Sequence, residues 1–114
     1  MTAPYAACCG RFHHGEAAPT AEALMRSRYA AFAVEDVAYL RRTWDPATRP
    51  RRLDLDRATR WTGLEILRTT GGSTGDDTGS VAFRAHHAGG VVEEISAFRR
   101  VDGRWLYVGP LTAG

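Results

Sequence analysis

The stretch Val91-Val92-Glu93-Glu94-Ile95-Ser96-Ala97-Phe98-Arg99-Arg100-Val101-Asp102-Gly103-Arg104-Trp105-Leu106-Tyr107-Val108 decides the fold. Asp102-Gly103 is the strongest two-residue hairpin signal in the chain, because such a turn needs two residues that tolerate positive φ. It sits between two runs rich in β-branched and aromatic residues, which read as strands. A two-residue loop sets the register: Val101 faces Arg104, Arg100 faces Trp105 and Phe98 faces Tyr107.

Working back towards the N-terminus, the period of two persists. Ser80–His87 reads as another strand, and Ala88-Gly89-Gly90 as the short link to the next. Leu64 and Ile66 alternate with their neighbours after Trp61 and begin a first strand, closed by the loop Gly71-Gly72-Ser73-Thr74-Gly75-Asp76-Asp77. Short links require antiparallel neighbours. A three-residue loop at Ala88–Gly90 would set Arg84 opposite Glu94 and Phe83 opposite Ile95. One sheet face then carries Arg84, Glu94, Ser96, Phe98, Trp105 and Tyr107. The other carries Val81, Phe83, Ile95, Ala97, Leu106 and Val108. The aliphatic face suits dry packing against helices or a second subunit. The aromatic face with its charged pair has the composition of a small-molecule pocket.

Upstream of the strands the period is helical. Thr20 is placed to cap a helix, and Glu22 puts negative charge in its first turn. Ala21, Leu24, Met25, Tyr29 and Phe32 form one apolar stripe. Arg28 falls on that stripe, so it needs a carboxylate partner if buried, and Glu94 is the expected one. A second helix is expected over Glu35–Thr43, ended by Asp45-Pro46, and a short helical turn over Asp54–Arg60. Helices followed by an antiparallel meander give an α+β fold with the helices on one sheet face.

The 114 residues fit one main domain. Fifteen basic and thirteen acidic side chains leave a formal net charge of +2, too little to point to nucleic acid. The basic residues Arg41, Arg42, Arg49, Arg51, Arg52, Arg57 and Arg60 crowd one stretch; the simplest reading is a solvated connection. No apolar run approaches the roughly 20 residues of a membrane span, and no leader is visible at Met1, so a cytoplasmic location is expected. The two cysteines, Cys8 and Cys9, are adjacent and cannot staple the fold. His86 and His87 point to opposite faces of a strand and cannot share a metal. His86 beside Arg84 and Glu94 would make an acid–base set.

Several strings are specific enough to name a resemblance. Tyr5-Ala6-Ala7-Cys8-Cys9-Gly10, Leu24-Met25-Arg26-Ser27-Arg28-Tyr29, Tyr39–Pro50, Glu94-Ile95-Ser96-Ala97-Phe98 and Gly103-Arg104-Trp105 resemble the YchJ-like family of bacterial proteins. The resemblance implies a nuclear transport factor 2-like domain, a cystatin-like cone in which N-terminal helices pack on a curved antiparallel sheet. It implies such a domain over residues 19–114, preceded over residues 1–18 by a remnant of a SEC-C zinc motif. That motif pairs a Cys-x-Cys with a later Cys-Cys or Cys-His. Cys8-Cys9 matches its second half alone, so the four-ligand set of a structural zinc is incomplete, even with His13 and His14 nearby. No metal or cofactor is expected. Where the family commonly shows His-Glu, this chain has Glu93-Glu94. The family carries no assigned reaction, and its fold hosts enzymes and binding modules alike.

The expected function is a non-enzymatic module that binds a small molecule or a protein. The alternative is a lyase or isomerase working through Glu94. The expected ligand-binding residues are Arg28, Tyr29, Trp44, Arg84, Glu94, Ser96 and Tyr107. The expected partners are a small molecule in the cone and a second copy of the chain on the aliphatic sheet face, not nucleic acid or a membrane.

Overall fold

The computed structural model describes residues 17–53 and 59–111. The expected helical turn at Asp54–Arg60 falls largely outside them, as do Cys8, Cys9, His13 and His14.

Helix α1, Ala21–Val34, starts where the sequence places it. Thr20 is its N-cap, and its Oγ1 accepts from the Ala23 amide at 3.0 Å. Glu22 pairs with Arg26 one turn on, at 3.0 Å. The helix stops at Glu35, whose φ of 60° is left-handed and turns its amide back onto the Ala31 and Phe32 carbonyls. Helix α2, Val37–Arg42, is shorter than the expected Glu35–Thr43, because that left-handed residue separates it from α1 and Asp36 is its cap.

Four strands follow, β1 Trp61–Gly71, β2 Thr78–His87, β3 Gly90–Val101 and β4 Arg104–Pro110, in one antiparallel sheet in sequence order. The β3–β4 hairpin has the expected register: Val101 pairs with Arg104, Arg100 with Trp105, Phe98 with Tyr107. The β2–β3 hairpin does not. His87 pairs with Gly90, so the loop is the two residues Ala88-Gly89 rather than three. In the turn itself the Gly89 amide donates to His87 Nδ1 at 3.2 Å.

This one-residue slip turns every β2 side chain over. Phe83 faces Glu94 and Arg84 faces Glu93. Val81 and Phe83, expected on the aliphatic face opposite Glu94 and Ser96, are instead buried with Ala85 in the core, together with Leu24, Met25, Leu40, Phe98 and Trp105. Arg84, expected in the pocket, lies outside. Ile95, Ala97, Leu106 and Val108 keep the outer face assigned to them.

Register shifts in β1 after Trp61 and Ile66, and between Ala97 and Phe98 in β3–β4, mark bulges. Bulges increase local twist and bend, which curls the sheet around α1. The close approach of β1 and β2 at their hairpin requires glycine: a Cβ on Gly79 would lie 2.5 Å from the Gly72 backbone.

After α2 the chain is pinned to the edge of β4. Tyr107 donates its amide to Thr43 O, and the Asp45 amide donates to Tyr107 O, both at 2.8 Å, giving a parallel bridge at Trp44. The buried Asp45 carboxylate accepts from the Arg99 guanidinium through Nε and, at 3.1 Å, through Nη2. It also accepts from the Ala47 amide at 3.0 Å. These bonds hold Trp44 against the sheet.

Candidate functional site

Between α1 and the concave sheet lies a cavity of about 190 Å³, lined by Met25, Arg28, Tyr29, Phe32, Trp44, Trp61, Phe83, Ala85, Val92, Glu94, Ser96 and Tyr107. A cavity of about 150 Å³ accommodates benzene, so this one has room for a single-ring molecule. Each wall follows from a local feature of the sequence. The helical period turns Met25, Arg28, Tyr29 and Phe32 towards the sheet. The β3–β4 register turns Glu94, Ser96 and Tyr107 inward together. The edge bridge delivers Trp44.

Arg28 is 3% exposed. Its Nη1 donates to Leu40 O at 2.9 Å and to Thr43 Oγ1 at 2.7 Å. Its guanidinium carbon lies 4.5 Å from the Tyr107 ring centre and 5.1 Å from that of Trp44, within reach of cation–π attraction. The two rings meet edge-on, with centroids 5.0 Å apart. Burial lowers the Arg28 pKa to about 10, while Tyr107, Tyr39 and Glu94 act in the opposite direction. The group is still charged at neutral pH.

Glu94 stands on the same cavity. Its Oε2 accepts from Ser96 Oγ at 2.5 Å and from Tyr107 Oη at 3.1 Å. Burial raises the Tyr107 pKa strongly, and the charge and hydrogen bond of Glu94 add to it, so the phenol keeps its proton. Arg28 and Glu94 influence each other through space, but no contact ion pair joins them among the described residues.

Of the seven residues expected from sequence, six therefore surround one cavity and Arg84 does not. Arg84 is exposed and donates from Nε to Glu93 Oε2 at 2.6 Å, on the outer face. That bond and the Glu93 charge raise its pKa further. His86, the expected assistant of Glu94, also faces outward, 3.4 Å from Glu65 Oε1. The acid–base set of Arg84, His86 and Glu94 is therefore not assembled. Phe83 and Ala85 were missed because the β2–β3 register was off by one, whereas Val92, two residues before Glu94 on the same strand, lies on the face already assigned to the pocket. Trp61 was missed because it opens β1, before any alternation is established; in the structure it meets Tyr29 at 5.9 Å, Phe32 at 6.4 Å and His87 at 5.6 Å.

In the arginine-rich stretch, two guanidiniums bond to backbone. Arg41 donates to the Pro50 and Arg51 carbonyls, and Arg49 to Trp44 O. Among the described residues, no cluster of three or more metal-ligating side chains occurs, and no helix is long and apolar enough to cross a membrane.

Comparison with known proteins agrees with this architecture. The model of YchJ, middle NTF2-like domain, matches residues 20–110. UPF0225 protein SCO1677 of Streptomyces coelicolor is 64% identical over 104 residues, covering 90% of this chain and 84% of its own. A UPF0225 protein of Streptomyces avermitilis is 59% identical over 105 residues, covering 91% of this chain and 75% of its own. The solution structure of RPA3114, a SEC-C motif containing protein from Rhodopseudomonas palustris, superimposes with a TM-score of 0.77 at 34% identity, over 96% of this chain and 92% of that one. The crystal structure of a SEC-C motif containing protein from Psychrobacter arcticus gives 0.80 at 27% identity, over 100% and 75%.

Proposed function

Because the chain belongs to the YchJ family with its nuclear transport factor 2-like domain, we propose that its cone serves as a binding module for a small organic molecule. The observation that carries this reading is Arg28: a buried, charged guanidinium at the wall of a largely aromatic cavity, with no carboxylate in contact among the described residues. A buried cation is costly unless something compensates it. Two neutral acceptors and two ring faces offset part of that cost, and a ligand acceptor in the cavity would offset more. Apolar walls with a few convergent polar groups are the usual composition of a ligand site.

Binding rather than turnover is favoured by the surroundings of Glu94. Among the described wall residues, the proton-bearing groups within hydrogen-bonding reach of it are Ser96 and Tyr107, and Tyr107 is shifted towards holding its proton. With His86 on the far side of the sheet, a lyase or isomerase working through Glu94 lacks the second acid–base group it was expected to have.

Titrations with toluene and with phenylacetamide, read by the fluorescence of Trp44 and Trp61 in the wall, test the reading, and binding by either supports it. The expected result is a saturable change that Val92→Phe removes, since Val92 lines the cavity and is 41% exposed, where a larger side chain is tolerated and narrows the opening. No saturable change with either compound in the parent chain, or an identical one in the variant, would contradict it.

A further inference from the structure

We infer that the cavity selects a ligand whose polar head carries an acceptor and a donor side by side with no net charge, on a single-ring body. This inference rests on the binding reading above. Its basis is the separation of two opposite charges that line one cavity, Arg28 from α1 and Glu94 from β3. If Arg28 and Glu94 served packing alone, a contact ion pair with two parallel hydrogen bonds would be the strongest arrangement open to them. Instead each is anchored to neutral partners. Among the described residues the hydrogen bonds of Arg28 all run through Nη1, to Leu40 O and Thr43 Oγ1. Those of Glu94 run through Oε2, from Ser96 and Tyr107. Among the described residues Arg28 Nε and Nη2 and Glu94 Oε1 make no hydrogen bond, and both side chains line the cavity.

Tyr107 touches both. Its ring lies 4.5 Å from the Arg28 guanidinium carbon while its hydroxyl reaches Glu94 at 3.1 Å. A head group that carries both a donor and an acceptor can therefore meet both charges beside Tyr107. A simple anion gains Arg28 but is repelled by Glu94; a simple cation meets the reverse. Discrimination by an unpaired or like charge is the stronger half of such specificity. Two ligand chemistries share the required head: a neutral primary amide or a zwitterionic amino acid.

The test uses the whole chain and five ring compounds of similar size: phenylacetamide, L-phenylglycine, phenylacetate, benzylamine and toluene. The expected result is that phenylacetamide or phenylglycine binds about tenfold or more tightly than phenylacetate and benzylamine, and the order of the first two says which head is preferred. Glu94→Gln, which keeps an acceptor for Ser96 and Tyr107, is expected to raise phenylacetate towards the affinity of the amide. Phenylacetate matching the amide in the parent chain, or unaffected by Glu94→Gln, would overturn the inference. Toluene binding as tightly as the amide would also overturn it while leaving the binding reading intact; no binding by any of the five would overturn both.

Discussion

Asp45 anchors the segment that carries Trp44 into the cavity wall. Its carboxylate is buried beneath the turn after α2, and the hydrogen bond from Arg99 holds its pKa below the ordinary carboxylate range, helped by the Ala47 amide. The unfolded value is about 4. A lowered folded value means that its contribution to stability is fully present above that pH and is lost as pH falls through the folded value. Denaturant melts at pH 7 and pH 3 are therefore expected to show an acid loss that Asp45→Asn reduces; an unchanged acid loss in the variant would contradict this role. Asp45 was visible in the sequence as a helix terminator, but its partner was not. Arg99 is 54 residues away, and no local pattern joins them. Arg28 was visible because a charge on an apolar helical stripe is itself an anomaly, whereas its neutral acceptors, Leu40 O and Thr43 Oγ1, depend on how α2 docks.

Among the elements, legibility followed the strength of the local chemistry. Asp102-Gly103 admits one tight turn, Asp102 takes φ 50° and Gly103 φ 78°, and the β3–β4 register came out as read. Ala88-Gly89-Gly90 offers two glycines and hence two closures, differing by one residue. The structure takes the shorter one, in which the Gly89 amide bonds His87 Nδ1, and a count of loop residues does not distinguish the two. A single slip moved Arg84 and His86 out of the pocket and Phe83 and Ala85 into it. The start of α1 was equally legible, because Thr20 and Glu22 are both where a helix start wants them. Thr20→Ala is expected to cost about 1 kcal/mol, measured by chemical denaturation. A loss near zero would mean that the Ala21 amide bond to Gly72 O, at 3.0 Å, already fixes the helix end without the cap.

For the molecule as a whole, helices, curled sheet and edge bridge act as a frame that brings residues from α1, the segment after α2 and all four strands to one cavity. Arg28 and Tyr29 come from α1, Trp44 from the segment after α2, Glu94 and Ser96 from β3, and Tyr107 from β4. That convergence was readable in outline, since the order of helices before meander dictates which faces meet. The size of the cavity was not, because it depends on the bulges that bend the sheet. The most direct measurement is of intermolecular nuclear Overhauser effects between the ring protons of phenylacetamide and the protein. The account predicts contacts to the Met25 and Ala85 methyl groups and to the Tyr107 ring, all on the cavity wall. Contacts confined to the outer sheet face, at Ile95, Leu106 or Val108, would contradict it.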